Sequence, residues 1–256
     1  MKATFDKKGR IERIGITCAL CHSTVDNALL PGIGHRLDGW PNRDLELGKI
    51  LAKLAHYTPE QKAILLTWPK GTYDPRFNFD GKSTPLVLPP AYGLAEVKNE
   101  TYTAEGPISY WNSYVAVTQM HGQGNFSDPR LGVKIVHEPD LVTPKLAALR
   151  AYQFSIPAPT PPGGSYSKGA ARRGKVVFEA NCARCHVNGN LSDNNDGTLH
   201  APSETGMDPA YAARTTQKRY RTTPLRGLWQ HPPYFHDGSA KTIEDVIKHY
   251  VRVLNG

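Results

Sequence analysis

The chain has four cysteines in 256 residues, and they fall into two pairs of the form CxxC. Cys18 and Cys21 lie in "ITCALCHST", and Cys182 and Cys185 in "EANCARCHVNGN". Each pair is followed at once by a histidine, His22 and His186. Disulfide stapling does not suit so few cysteines in so long a chain. A redox CxxC opens a helix after a strand, whereas "RRGKVVFEAN" leads into the second pair with helical character. A zinc site from two CxxC pairs is the serious alternative, because zinc takes four thiolates tetrahedrally. The two histidines favour another chemistry, since CxxCH is the signal for covalent attachment of c-type haem. Two thiols add across the vinyl groups on one porphyrin edge. One helical turn starting at the first cysteine brings both sulfurs to that edge and swings the next imidazole beneath the iron as proximal ligand. Cys18, Cys21 and His22 would hold one haem; Cys182, Cys185 and His186 would hold a second.

The elements that must position these turns read mainly as helix. "NRDLELGKILAKLAHY" carries an apolar stripe of Leu45, Leu47, Ile50, Leu51 and Leu54 at helical spacing. "TPEQKAILLTW" follows, with Thr58 as N-cap and Pro59 at the first position. "AARRGKVVFEANCARCH" is a third helix, preceded by Ser167 as N-cap, and "TIEDVIKHYV" a fourth, with Thr242 as N-cap. Only "GVKIVHE" reads as a short extended piece. The expected class is therefore all-α, two domains with long loops, each carrying one covalent haem; the resemblance described below implies that both are cytochrome c-like. The Pro- and Gly-rich segment at about 154–170, "FSIPAPTPPGGSYSKGA", is the linker. It separates an N-terminal haem domain with an insertion, residues 1–156, from a C-terminal haem domain, residues 157–256. "STPLVLPPAYGL" followed by "ISYWNSYVAVTQM", and "TTPLRGLWQHPPYFHDG" followed by "TIEDVIKHYV", suggest a faint internal repeat of one haem domain.

The second half resembles a known family. "RRGKVVFEANCARCH" is similar to the entry helix of a cytochrome c domain, and "RTTPLRGLWQHPPYFHDGSAKTIEDVIKHY" resembles the second-domain signature of the diheme cytochrome c superfamily. That superfamily includes bacterial diheme cytochrome c peroxidases and the maturation enzyme of methylamine dehydrogenase. The resemblance spans about residues 170–251, and such chains usually continue past the last of these helices. It implies two haem domains that exchange electrons and residence in the periplasm. The start, "MKATFDKKGR", has no apolar core and does not read as a signal peptide, so export is inferred from the chemistry.

The ligand opposite each histidine decides between a carrier and an enzyme, because an iron with an open face can bind peroxide or oxygen. For the first haem the internal repeat points to Met120, with its neighbour His121 second. For the second haem the resemblance places the ligand late in the helix after "HDGS", where peroxidases carry Met and the maturation enzyme Tyr. His249, Tyr250 and then Met207 are the candidates. Arg226 suits a haem propionate, since guanidinium forks a carboxylate. Trp229 reads as a haem-edge or core residue. "SDNNDG", residues 192–197, spaces oxygen ligands as calcium requires, although such runs also make turns. His35, His56, His137, His200, His231 and His236 read as structural or exposed.

The formal charge of +8 fits docking of an acidic redox protein. No basic run with interleaved aromatics points to nucleic acid, and no apolar run has transmembrane length. The sequence leaves the oligomeric state open. The expected function is a periplasmic diheme electron carrier. The alternative is a peroxidase-like or oxidase-like enzyme with one five-coordinate haem, with Gln119, His121, Gln123 and Glu105 as the polar groups for acid–base work.

Overall fold

A computed structural model describes residues 2–187 and 189–255. The chain divides into two compact units. The first comprises residues 1–92 and 109–156, the second residues 93–108 and 157–256.

The first unit begins with a hairpin, β1 (Lys2–Phe5) and β2 (Ile11–Gly15). A single turn, α1 (Ala19–His22), follows, then a second hairpin of β3 (Ser23–Val25) and β4 (Arg36–Asp38). Next come α2 (Leu47–Leu51), α3 (Pro59–Leu65), β5 (Thr72–Tyr73), α4 (Phe77–Asp80) and β6 (Leu86–Val87). α5 (Ile108–Tyr114) runs into a π-helical turn at Val115–Gln119. A third hairpin, β7 (Phe126–Asp128) with β8 (Val133–Ile135), precedes α6 (Thr143–Ser155).

The N-terminus of α3 is set by a complete capping box. The Thr58 hydroxyl accepts from the Gln61 amide, and Gln61 returns the bond to the Thr58 amide. α2 is much shorter than the apolar stripe suggested. Its Gly48 lies so close to α3 that a Cβ there would stand 2.1 Å from the Leu65 carbonyl oxygen. Beyond Leu51 the chain turns through i→i+3 bonds instead of continuing the stripe, and Leu54 is left exposed. The buried side chains form three clusters. Tyr57, Leu65, Trp68 and Phe77 make one, Leu45, Leu47 and Leu88 a second, and Tyr114, Val117, Phe126 and Val133 a third.

The second unit contains α7 (Lys168–Asn181), β9 (Leu199–His200), α8 (Pro202–Thr205), β10 (Tyr220–Arg221) and α9 (Ile243–Asn255). Ser167 caps α7 through its hydroxyl, and Thr242 caps α9 by accepting from the Asp245 amide. The three clusters of buried apolar side chains found among the described residues all belong to the first unit. In the second unit α7 buries no residue, and Val176, Val177, Ile247 and Val251 are all more than half exposed.

The all-α expectation is overturned. Helix accounts for 35% of the chain, and strand for 13% in small sheets. Strands of two to five residues paired as hairpins leave no alternating pattern long enough to read, because each contributes at most two or three side chains to a face. The one extended piece that the sequence did suggest, "GVKIVHE", contains β8.

Candidate haem-attachment sites

The two CxxCH segments fold alike, each as one helical turn. In the first, the Cys18 carbonyl accepts from the Cys21 amide at 3.2 Å and from the His22 amide at 3.0 Å. In the second, the Cys182 carbonyl accepts from Cys185 at 3.2 Å and His186 at 3.0 Å. One follows a hairpin, and the other closes the 14-residue helix α7. So short a turn leaves its last carbonyls without helical partners. In the first unit Asn42 donates to the Cys21 and Leu20 carbonyls, and the Gly39 amide to that of His22. In the second, the Asp193 amide donates to Cys185 and the Ser192 amide to Val187.

Each histidine has Nδ1 against a backbone carbonyl, His22 against Pro89 at 3.2 Å and His186 against Leu191 at 2.9 Å. A carbonyl only accepts, so Nδ1 carries the proton and donates, and Nε2 keeps its lone pair. Burial lowers the pKa of both rings, which keeps them neutral as an iron ligand requires. The four cysteines form no disulfide. Burial, reinforced by Cys18, pushes Cys21 up to about 11, and burial with the nearby Asp193 raises Cys185. Two cysteines and an imidazole presenting its Nε2 lone pair from one turn, with exposed apolar residues on α7 and α9, fit a covalently held porphyrin.

The partners of the two histidines come from different places. Pro89 belongs to the "LPPAYG" loop, 67 residues from His22, whereas Leu191 lies five residues after His186. The Pro-Pro loop of the second unit does not take the corresponding role, so at this point the internal repeat does not extend to function.

Asp38 anchors the hairpin that follows His22. It accepts from Ser23 Oγ at 2.8 Å and from the Tyr152 hydroxyl on α6 at 2.6 Å, and it pairs with Arg36. The Arg36 and Tyr152 bonds lower its pKa to about 2. A carboxyl more acidic in the folded state stabilises the fold above its unfolded pKa and loses that contribution as pH falls toward the folded value. The full shift sets a ceiling of about 2.4 kcal/mol, which solvent screening of this partly exposed group reduces to about 1 kcal/mol. Thermal melts should therefore show stability falling between about pH 4 and pH 2, and Asp38→Asn should be less stable at neutral pH and flatter across that window.

The remaining candidates are dispersed. Met120 is part-buried where the π-helical turn ends, and its amide donates to Val115. His121 is exposed with a positive φ of 52°. Gln119 spends its amide on Asn78, Thr118 and the Pro75 carbonyl. Gln123 reaches the Glu138 carbonyl, and Glu105, in the second unit, accepts from Thr216. Among the described residues these four do not form an acid–base pair. In the second unit, His249 Nε2 donates to the Thr205 carbonyl at 2.8 Å. Tyr250 is half-buried. Burial raises its pKa first, and Cys185 and Cys182 raise it further. Phe235 packs against both, with ring centroids 4.8 Å from His249 and 5.9 Å from Tyr250. Met207 lines a cavity of about 450 Å³ with Pro202, Pro209 and Lys218.

Arg226 gives Nη1 to the Gly93 and Ala95 carbonyls, at 3.2 and 3.0 Å, with Glu96 at 3.8 Å. Trp229 donates to the Pro159 carbonyl and is 39% exposed. The Ser192–Gly197 stretch is a 3₁₀ turn. Ser192 donates to Thr222, Asn194 exchanges bonds with Asn99, and Asn195 pairs with Asn190 just before the turn. Asp193 Oδ2 bonds His200, while its Oδ1 is buried without a hydrogen-bond partner.

Sequence reasoning missed three features. Arg43 donates to the Leu88 carbonyl and lies close enough to His22 to depress its pKa. Tyr73 packs on the same leucine cluster as Cys21. His200, set aside as structural or exposed, is held between Asp193 at 2.8 Å and Glu204 at 3.2 Å, beside Cys185. None carries a motif, because each comes to its place through tertiary packing.

Two curated relatives match, and both bear the name methylamine utilization protein MauG. That of Methylorubrum extorquens is 32% identical over 257 aligned residues, covering 95% of this chain and 65% of the relative. That of Methylophilus methylotrophus is 35% identical over 88 residues, covering 32% of this chain and 26% of the relative. This similarity supports the resemblance to the diheme cytochrome c superfamily. The chain spans 65% of the length of the longer-matching relative and 26% of the other. No protein-family model matches the sequence, and no solved structure matches it. No helix among the described residues is long and apolar enough to cross a membrane. The MauG relationship favours the peroxidase-like alternative over the electron carrier, which was the first expectation from sequence.

Proposed function

We propose that this chain is a periplasmic, peroxidase-like diheme oxidoreductase. Cys18, Cys21 and His22 would hold one haem, which would supply the site for peroxide, and Cys182, Cys185 and His186 a second, which would supply it with electrons. The observation that carries this reading is the 32% identity to MauG along 95% of the chain, joined to two CxxCH turns of the same hydrogen-bonded form. Haem, when bound, supplies the iron for peroxide and the one-electron chemistry.

The chain's own contribution is to orient and to exclude. The Pro89 and Leu191 carbonyls fix the two imidazoles and their tautomers, which also raises their basicity as ligands. Arg43, beside His22, favours the neutral ring. In the second unit His249 is committed to Thr205 through Nε2, so we assign Tyr250 as the side chain that, with His186, would hold the second haem's iron. A phenolate there favours the oxidised iron, in contrast to Met, which raises the potential. The carrier reading needs Met120 to close the second face of the first haem; the enzyme reading leaves that face open.

Electron paramagnetic resonance of the oxidised protein separates the two. The enzyme reading expects a high-spin component from the first haem that changes on adding one equivalent of hydrogen peroxide. Two low-spin signals indifferent to peroxide would return the assignment to a carrier.

A further inference from the structure

The first unit holds a run of oxidisable rings, one end of which packs beside the first attachment turn. Tyr73 and Cys21 pack on the same cluster of Leu45, Leu47 and Leu88. Burial holds the Tyr73 phenol protonated, and Tyr114, Tyr57 and Cys21 are near enough to add to that effect. From Tyr114 the rings continue. Trp111 lies 5.4 Å away and Tyr110 6.4 Å away by centroid, with 5.3 Å between those two. The Tyr114 hydroxyl meets the backbone at Pro75, two residues from Tyr73, and because electron transfer weakens exponentially with distance, several short steps outpace one long jump.

The chain's end differs chemically from its middle. The Tyr114 hydroxyl donates to the Pro75 carbonyl, an amide oxygen too weakly basic to take a proton. The guanidinium of Arg76, 3% exposed, lies 5.6 Å from the Trp111 ring, and a cation there opposes a radical cation on the indole. Tyr110 is placed otherwise. Its hydroxyl donates to Asp128 Oδ2 at 2.5 Å, and Asp128 is 4% exposed. Arg130 holds the other side of that carboxylate, through Nε at 3.0 Å to Oδ1 and Nη2 at 2.6 Å to Oδ2. A phenol loses an electron readily only when its proton has somewhere to go, and an oxidised phenol is acidic enough to protonate even a salt-bridged carboxylate.

We infer that Tyr110 is a redox-active relay, which yields an electron toward the haem at Cys21 through the Tyr114–Tyr73 rings while its proton passes to Asp128. The inference rests on the peroxidase-like reading for its oxidant. Reduction of hydrogen peroxide to two waters takes two electrons and two protons. Tyr110 supplies one of those electrons and the second haem would supply the other, while both protons come from solvent; Tyr110 becomes a neutral phenoxyl radical and leaves its proton on Asp128 Oδ2. An external one-electron reductant, a reduced redox protein or ascorbate, then refills the radical, and Asp128 returns the proton.

The test uses the haem-loaded protein with two oxidants, hydrogen peroxide with freeze-quenching and an external ruthenium photosensitiser with flash-quenching. Paramagnetic resonance counts the tyrosyl radical. The wild type should give it in both arms. Tyr110→Phe, which keeps the ring packing, should lower its yield at least tenfold in both. Arg130→Gln should raise the yield, because it leaves Asp128 a stronger base, whereas a purely structural ion pair would give no such gain. An unchanged tyrosyl yield in Tyr110→Phe under flash-quenching overturns the relay. A Tyr110 radical under flash-quenching with none after peroxide keeps the relay and overturns the peroxidase-like reading instead.

Discussion

Replacing Cys182 and Cys185 together with alanine should leave a protein with one covalent haem per chain and a second unit that no longer melts cooperatively. The first part follows from thioether chemistry, since each attachment turn has only its own two thiols. The second follows from where apolar area lies. Among the described residues, the clusters of buried apolar side chains all fall in the first unit, while α7 buries nothing and Val176, Val177, Ile247 and Val251 stand exposed. Helices of 13 and 14 residues are marginal on their own and depend on packing an apolar face. A porphyrin is the apolar body that these faces would pack against. The mirror variant, Cys18→Ala with Cys21→Ala, should also lose one haem. It should keep more helix, because the first unit retains its aromatic and leucine clusters. Circular dichroism with a haem count on both variants checks the contrast; equal losses would mean that the second unit's helices have another source of stability.

Replacing Tyr250 with Phe should abolish a tyrosinate-to-iron charge-transfer band and convert the second haem to an open, high-spin form. Substitution of groups that only support a metal's ligands typically costs 10–100-fold in affinity or activity, so loss of a ligand should cost peroxide-dependent turnover at least that much. Phe keeps the ring that packs 5.9 Å from Phe235 and removes only the hydroxyl. His249→Gln is the matched control. Because His249 Nε2 is bonded to the Thr205 carbonyl, this change should leave the visible spectrum in place. The reverse pattern, with Tyr250→Phe silent and His249→Gln altering the spectrum, would move the ligand to His249.

What the sequence made legible follows from the range of the forces involved. The attachment turns and the starts of α3, α7 and α9 are local, written by CxxCH and by Thr58, Ser167 and Thr242 as caps. The hairpins were not legible, because two or three residues per strand leave no period to detect. The α2 stripe misled because Leu45 and Leu47 are buried by tertiary packing, while beyond Leu51 the chain leaves the helix through i→i+3 bonds and Leu54 is exposed. Arg226 was named for a propionate by residue type alone, and its guanidinium lies among the backbone carbonyls of Gly93 and Ala95. Pro89 could be quoted as part of a Pro-Pro turn, but nothing in the turn announces a carbonyl aimed at an imidazole 67 residues away.

The pyridine haemochrome of protein matured in a periplasm, set against peptide mass after denaturation in acidified acetone, bears most directly on the central claim. Two haems per chain should remain with the polypeptide, with each tryptic peptide spanning Cys18–His22 or Cys182–His186 heavier by one haem. A colourless chain, or pigment that leaves with the solvent, would contradict it.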